Sequence, residues 1–228
     1  MDKEVRQESD SGQLKIYRVT IQLKNHAIQS KIRFLNSGLL YFYRLDFNQK
    51  NKPTQGGFYM NFEEKDIALS IDGMGIVFFS PETNKDIPEG MDFLDEEYSE
   101  PADVARHIEK GDVVGFCTGT GGDFTLKFRE GYPTDELLEE QDIAIRLGID
   151  IQDDKLCMVD LFWLEAWSSE CPPKQILSIK PGYYHITLCT KRPDSGIWGN
   201  DQMIYVYLNP LDAMPELKWK GVPLLFTK

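Results

Sequence analysis

Apolar residues along this chain recur mostly at every second position, the spacing of a β-strand rather than of a helix. Leu14, Ile16, Val19, Ile21 and Leu23 form a β-branched run with near-alternation, and Ile28 to Phe34 continues it after the turn-like Lys24-Asn25-His26. Asn36-Ser37-Gly38 is a turn signal before the aromatic-rich Leu39 to Phe47. Residues 48–57, with Pro53 and a Gly56-Gly57 pair, read as a loop ahead of a strand from Phe58 to Phe62. Ile67 to Ile71 and Ile76 to Phe79 flank Asp72-Gly73, a turn that supplies positive φ, so a hairpin is expected. Val113 to Cys117 and Phe124 to Phe128 flank Thr118 to Asp123 as a second expected hairpin. Strands at Ile143 to Ile149, Lys155 to Leu164, Gln175 to Ile179, Tyr183 to Thr190 and Met203 to Leu208 complete the series. The tail from Asn209 is rich in proline and is expected to wrap the surface.

Part of this pattern occurs twice. SGQLKIYRVTIQ (Ser11 to Gln22) is matched in type by DDKLCMVDLFWL (Asp153 to Leu164), and Lys31 to Phe47 by Lys174 to Thr190. The offset is 142 for Leu14 with Leu156 and 144 for Gly38 with Gly182. Chance alignment of two β-rich stretches stands as the alternative to duplication. The chain thus reads as mainly β, an antiparallel β-sandwich in which two related β units would pack as one body. The expected divisions are a frayed 1–12, an N-terminal β unit 13–85, an acidic linker with a short helix 86–110, and a C-terminal β-sandwich unit 111–228.

Charge changes that picture at the joint. Between Lys85 and Arg106 there are eight acidic residues and no basic one. Ser99 as a cap, Pro101 in the first turn, Arg106 to Lys110 late and Gly111 as a stop predict one short helix near 101–109. Asp135 to Asp142 is a second acid run, in reach of a helical turn. The net charge of -12 makes nucleic acid and anionic membranes poor direct partners and a basic protein the natural one. No apolar run approaches the roughly 20 residues of a membrane helix, and the polar N-terminus lacks a secretory core, so a cytoplasmic location is expected.

Candidate chemistry is sparse. Cys117, Cys157, Cys171 and Cys189 lack metal-ligand spacing, and His26, His107 and His185 stand apart from one another. His185 and Cys189 share a strand face, a weak echo of a base and nucleophile. Gly119 to Asp123 lacks the Lys-Ser/Thr of a phosphate loop and reads as a turn. Asp150, Asp153 and Asp154 lack the calcium-loop pattern. No metal or cofactor is expected. Trp198, in the glycine- and proline-punctuated PDSGIWGND, is a candidate binding anchor.

From His107 onward the order of features resembles the competence-protein-J-like family of bacterial nuclease inhibitors. The matching stretches are HIEKG, GDFTLKF with the acidic DELLEEQ, IAIRLGIDIQDDKLCMVD, and QILSIKPGYYHITLCTKRP leading to IYVYLNP, across about residues 107–210. The turn at Pro181 to Tyr183 is the most recognisable point. The resemblance implies a β-sandwich that binds and blocks a nuclease, or serves a related immunity role, with the N-terminal residues as an addition. An inhibitor of this kind gains from imitating a polyanionic substrate. The candidate contact residues are therefore Asp92, Asp95, Glu96, Glu97, Glu100 and Asp103, then Glu136, Glu139 and Glu140, with Trp198. The expectation is a non-enzymatic inhibitor of a basic toxin or nuclease. The alternatives are a β-sandwich module binding a small ligand or carbohydrate through Trp198, Tyr183 and Tyr184, and an enzyme with a cleft of titratable groups.

Overall fold

Three strands open the chain: β1 (Asp2–Asp10), β2 (Leu14–Leu23) and β3 (His26–Leu35). The structure, a computed structural model, describes residues 2–10, 14–23, 26–35, 61–217 and 222–226. It divides into two compact units, 1–57 and 58–228. In the first, β1, β2 and β3 form an antiparallel meander, with β2 in the middle and a bulge in β1 between Gln7 and Ser9. The N-terminal residues expected to fray are thus a strand, which their charge hid because they lack apolar alternation. The expected strand over 39–47, the loop over 48–57 and the start of the strand at 58 lie outside the described residues. Both copies of the proposed repeat pair their first two strands antiparallel, and the remainder of the first copy also lies outside them.

The second unit stacks two sheets. Strands β4 (Lys65–Ile71), β5 (Gly75–Phe79), β6 (Val113–Cys117), β7 (Gly122–Glu130), β8 (Ile143–Ile151), β9 (Lys155–Asp160), β10 (Ile176–Ser178), β11 (Gly182–Thr190) and β12 (Gln202–Leu211) sort into the orders β10-β9-β5-β6 and β4-β7-β12-β11-β8. The described chain is mainly β, as its alternation predicts. All pairs are antiparallel except β12 with β7. Residues 65–79, expected in an N-terminal unit ending at 85, supply one strand to each of these sheets.

Between the sheets, Phe78 of β5 meets the edge of Phe128 of β7 at 6.3 Å. Leu126, Leu147, Ile186, Ile204, Val206 and Leu208 join it, all essentially fully buried. Burying each such side chain stabilises the fold by about 1.5–3 kcal/mol. The next residue along β5 points the other way: Phe79 packs on Trp167 at 4.7 Å, and Trp167 on Phe93 at 5.5 Å. The four-stranded sheet is therefore covered on both faces, which is why β5 and β6 read as continuous apolar runs.

Neither expected hairpin forms. β4 and β5 lie in different sheets, as do β6 and β7, so each turn is a corner between layers. At the first, the Asp160 carboxylate accepts the amides of Asp72 at 2.7 Å and of Gly73 at 3.0 Å, fixing a bend that turn chemistry alone cannot distinguish from a hairpin. At the second, a Cβ on Gly121 would sit 2.9 Å from the Ile71 and Asp72 carbonyls, and one on Gly122 (φ +142°) 2.2 Å from that of Gly199.

The connection from β7 to β8 is a crossover. Parallel pairing with β12 and two antiparallel steps make β7 and β8 run the same way, so residues 131–142 must travel back along the sheet. They do so across its outer face, starting at Tyr132 beside His185 and ending where Asp142 donates its amide to the Thr190 carbonyl at 3.1 Å. Helix α3 (Asp135–Glu140), capped by Thr134, lies on this path. The tail is less peripheral than expected. β12 runs to Leu211, carrying Pro210 where β7 has already ended and no donor is needed, and Leu225 is fully buried.

Candidate functional site

The acidic stretch after β5 builds an ordered layer over the four-stranded sheet. Two helices organise it, α1 (Phe93–Glu97) and α2 (Pro101–Lys110). α2 starts with Pro101 at its first position and stops at Gly111, whose φ of 72° is left-handed, so the expected helix is present. Its expected cap is not: Glu100 occupies that position, and the Ser99 hydroxyl instead donates to the Asp95 carbonyl at 3.0 Å. Val104, His107 and Ile108, spaced three and four apart, face inward with Phe93 and Tyr98. The Tyr98 hydroxyl accepts the Gly115 amide at 2.8 Å and donates to the Val113 carbonyl, so it satisfies the free edge of β6. Gly115 is required there, because a Cβ would come within 2.7 Å of that hydroxyl.

With the apolar positions turned in, the acids face solvent. Asp92 caps α1 by accepting the Asp95 amide at 3.0 Å. Glu97 and Asp103 both bond Arg106, at 2.7 and 3.0 Å, and the Arg106 guanidinium holds the Glu97 carboxyl below its ordinary range. Glu89 accepts both the amide and hydroxyl of Ser169, the hydroxyl bond first in lowering its pKa. Asp95, Glu96 and Glu100 are exposed, and their carboxylates have no partner among the described residues. Beneath them His107 is buried, its Nδ1 2.8 Å from Asp112 and its Nε2 3.8 Å from Glu97.

The second acid run stands apart. Glu136, Glu139 and Glu140 are exposed on α3, on the outer face of the five-stranded sheet, whereas α1 and its loop cover the other sheet. The two runs therefore occupy different layers. Trp198 is half-buried; the exposed apolar residue of its loop is its neighbour Ile197, at 63%. The aromatic patch expected of a ligand-binding module does not form. Tyr184 is buried in the core, and Tyr183 pairs with Leu211 at the far end of β12 from Trp198, roughly 30 Å along a ten-residue strand.

The sequence reading missed a cluster on the outer face of the five-stranded sheet. The Tyr132 hydroxyl lies 2.7 Å from His185 Nδ1 and accepts from Asn209 Nδ2 at 3.1 Å, while Arg146 stacks over the Tyr132 ring at 4.4 Å and donates Nε to Thr187 at 2.9 Å. Burial, then the Arg146 charge, pushes His185 down to about 4. Alternation of Arg146, Thr187 and His185 on outward positions is the one sequence signal, and the crossover that brings Tyr132 is not legible locally. Cys189 shares the face, but four residues of strand separate it from His185 by about 13 Å, so the two are no dyad. Among the described residues no group of three or more His, Cys, Asp or Glu could hold a metal, and no helix is long and apolar enough to cross a membrane.

These features define a mainly β sandwich with an acidic helical layer on one side. A scan of protein-family models found no match, nor did a search of curated proteins. Two solved structures are similar. One, titled "Crocagin biosynthetic gene J", is 14% identical over 65% of this chain and 98% of its own, with a TM-score of 0.45. The other, ComJ from Bacillus subtilis, titled an inhibitor of the DNA-degrading activity of NucA, is 13% identical over 66% of this chain and 98% of its own, with a TM-score of 0.38. Neither likeness assigns an activity to this chain.

Proposed function

We propose that this protein is a non-enzymatic inhibitor or immunity protein that binds a basic toxin or nuclease through the acidic layer of residues 86–103. The observation that carries the reading is the sorting of that segment: every large apolar side chain of α1 and α2 packs inward, and Asp95, Glu96 and Glu100 stand exposed without partners among the described residues. Three carboxylates kept clear of internal ion pairs raise a negative potential that speeds encounter with a basic surface. The resemblance of residues 107–210 to a nuclease-inhibitor family points the same way. The run on α3 lies on another layer, and the proposal is made for residues 86–103.

The test is capture by the whole chain, immobilised, from a lysate of its source, alongside the variant Asp95→Asn/Glu96→Gln/Glu100→Gln. The reading expects a basic protein, identified by mass spectrometry, that the variant loses and whose toxic or nuclease activity falls when the wild-type chain is added. Equal capture by the variant, or a captured protein whose activity is unchanged, would overturn it.

A further inference from the structure

The loop that supports the acidic layer carries a cysteine, Cys171, over a second one, Cys157, on the strand beneath it. Cys157 lies on β9 opposite Phe79 of β5 and Ile176 of β10, so it shares the outward face on which Trp167 packs. Cys171 lies four residues beyond Trp167 in the covering loop 161–175, with its Sγ 3.2 Å from the carbonyl of Gln175, the residue preceding Ile176. Strand register (Cys157 opposite Ile176) and the Cys171–Gln175 hydrogen bond thus independently bring both side chains to one spot. Both are free, and Cys171 is the more exposed, at 8% against 0%.

The same loop is fastened to the acidic segment. Trp167 donates its amide to the Met91 carbonyl at 2.9 Å and accepts the Gly90 amide at 2.7 Å, and Ser169 donates to Glu89. Phe93 completes the attachment by packing on Trp167.

We propose that Cys157 and Cys171 are a dithiol that closes to an intramolecular disulfide under a peroxide oxidant, locking loop 161–175, and through it residues 89–97, onto the four-stranded sheet. Cys171 is the attacking sulfur because it is the one that solvent reaches, and the neighbouring Cys157 thiol and Met158 amide favour its thiolate. The thiolate attacks one peroxide oxygen, an S–O bond forms, the O–O bond breaks, and the departing hydroxide takes up a proton as water. The Cys157 sulfur then attacks the sulfenyl sulfur, the S–S bond forms, the S–O bond breaks, and the Cys157 proton leaves with the hydroxide as a second water. The two thiols are oxidised by two electrons together and one peroxide is reduced to two waters. Cys189, which burial pushes up to about 12, and Cys117, which burial also raises, are internal controls.

The experiment treats the folded, reduced chain with hydrogen peroxide and maps the products by mass spectrometry without reduction. The expected result is the loss of two hydrogens, a cross-linked peptide joining Cys157 to Cys171, and a melting temperature raised by several degrees because the closed loop restricts the unfolded chain. The Cys157→Ser variant should instead hold Cys171 as a sulfenic acid that dimedone traps, and amide exchange in 89–97 and 161–175 should slow in the cross-linked wild type. A bond to Cys117 or Cys189, thiols that react only after unfolding, or a cross-link that leaves exchange unchanged would overturn the proposal. The outcome does not depend on any partner, so it stands or falls separately from the inhibitory function.

Discussion

Replacing Tyr98 by Phe removes one oxygen from the joint between the acidic layer and the sandwich. That oxygen accepts the Gly115 amide at 2.8 Å and donates to the Val113 carbonyl at 3.3 Å, in a side chain only 5% exposed. Without it, a buried amide on the free edge of β6 loses its partner, which costs about 1–3 kcal/mol. Urea unfolding followed by tryptophan fluorescence measures this directly, because Trp163, Trp167 and Trp198 belong to the second unit and the sequence has no tryptophan before residue 163. A pH series sharpens the test. Burial raises the Tyr98 phenol above its ordinary value of 10.0, so above that pH the unfolded chain releases a proton that the folded chain keeps. The stability from this group is therefore complete below pH 10 and is lost as pH rises towards the folded value, at about 1.4 kcal/mol per pH unit. The gap between wild type and Tyr98→Phe should narrow by about 1 kcal/mol from pH 10 to 11, where the unfolded phenol passes from half to nearly full ionisation, since the other buried phenols and thiols are common to both. A variant as stable as wild type at pH 7, or a gap that stays constant above pH 10, would refute the reasoning.

Other outcomes follow from the corners and the outer face. Gly122→Ala should destabilise the second unit by at least about 2 kcal/mol in the same unfolding assay, because φ of +142° and the Gly199 carbonyl 2.2 Å from the new Cβ both oppose it. At His185, pushed down to about 4 in the folded chain from an ordinary 6.5, stability is present above pH 6.5 and lost as pH falls towards 4. His185→Asn should therefore lose stability less steeply than wild type over that window, and parallel curves would contradict the burial assigned to the imidazole.

The local code of this fold was largely legible. Alternation, or in β5 and β6 a continuous apolar run, marked the described strands after residue 61, and Pro101 with Gly111 marked α2 because both act through their own φ angles. What could not be read was which strands meet. Asp72-Gly73 supports a hairpin as readily as a corner, and only the Asp160 carboxylate, distant in sequence, decides for the corner. The same holds for the parallel pairing of β7 with β12, which depends on a crossover whose acid run says nothing of its path. At the candidate site the acids were evident as a run, but their division was not. Arg106 engages Glu97 and Asp103 and leaves Asp95, Glu96 and Glu100 outward, a consequence of helix phase rather than of composition. Trp198 looked like an anchor because glycine and proline surround it. In the same loop Gly199 approaches Gly122 and accepts the Asp123 amide at 2.8 Å, a packing role that the composition does not show.

The central claim is that residues 86–103 meet a basic partner through exposed carboxylates. Its most direct measurement is the association rate constant of the whole chain with the captured partner, by stopped flow over a range of ionic strength. Wild type should associate at least tenfold faster at low salt than at high salt, and Asp95→Asn/Glu96→Gln/Glu100→Gln should lose most of that dependence while rates converge at high salt. A variant with the same rate and the same salt dependence as wild type would show that the acidic layer is not the binding surface.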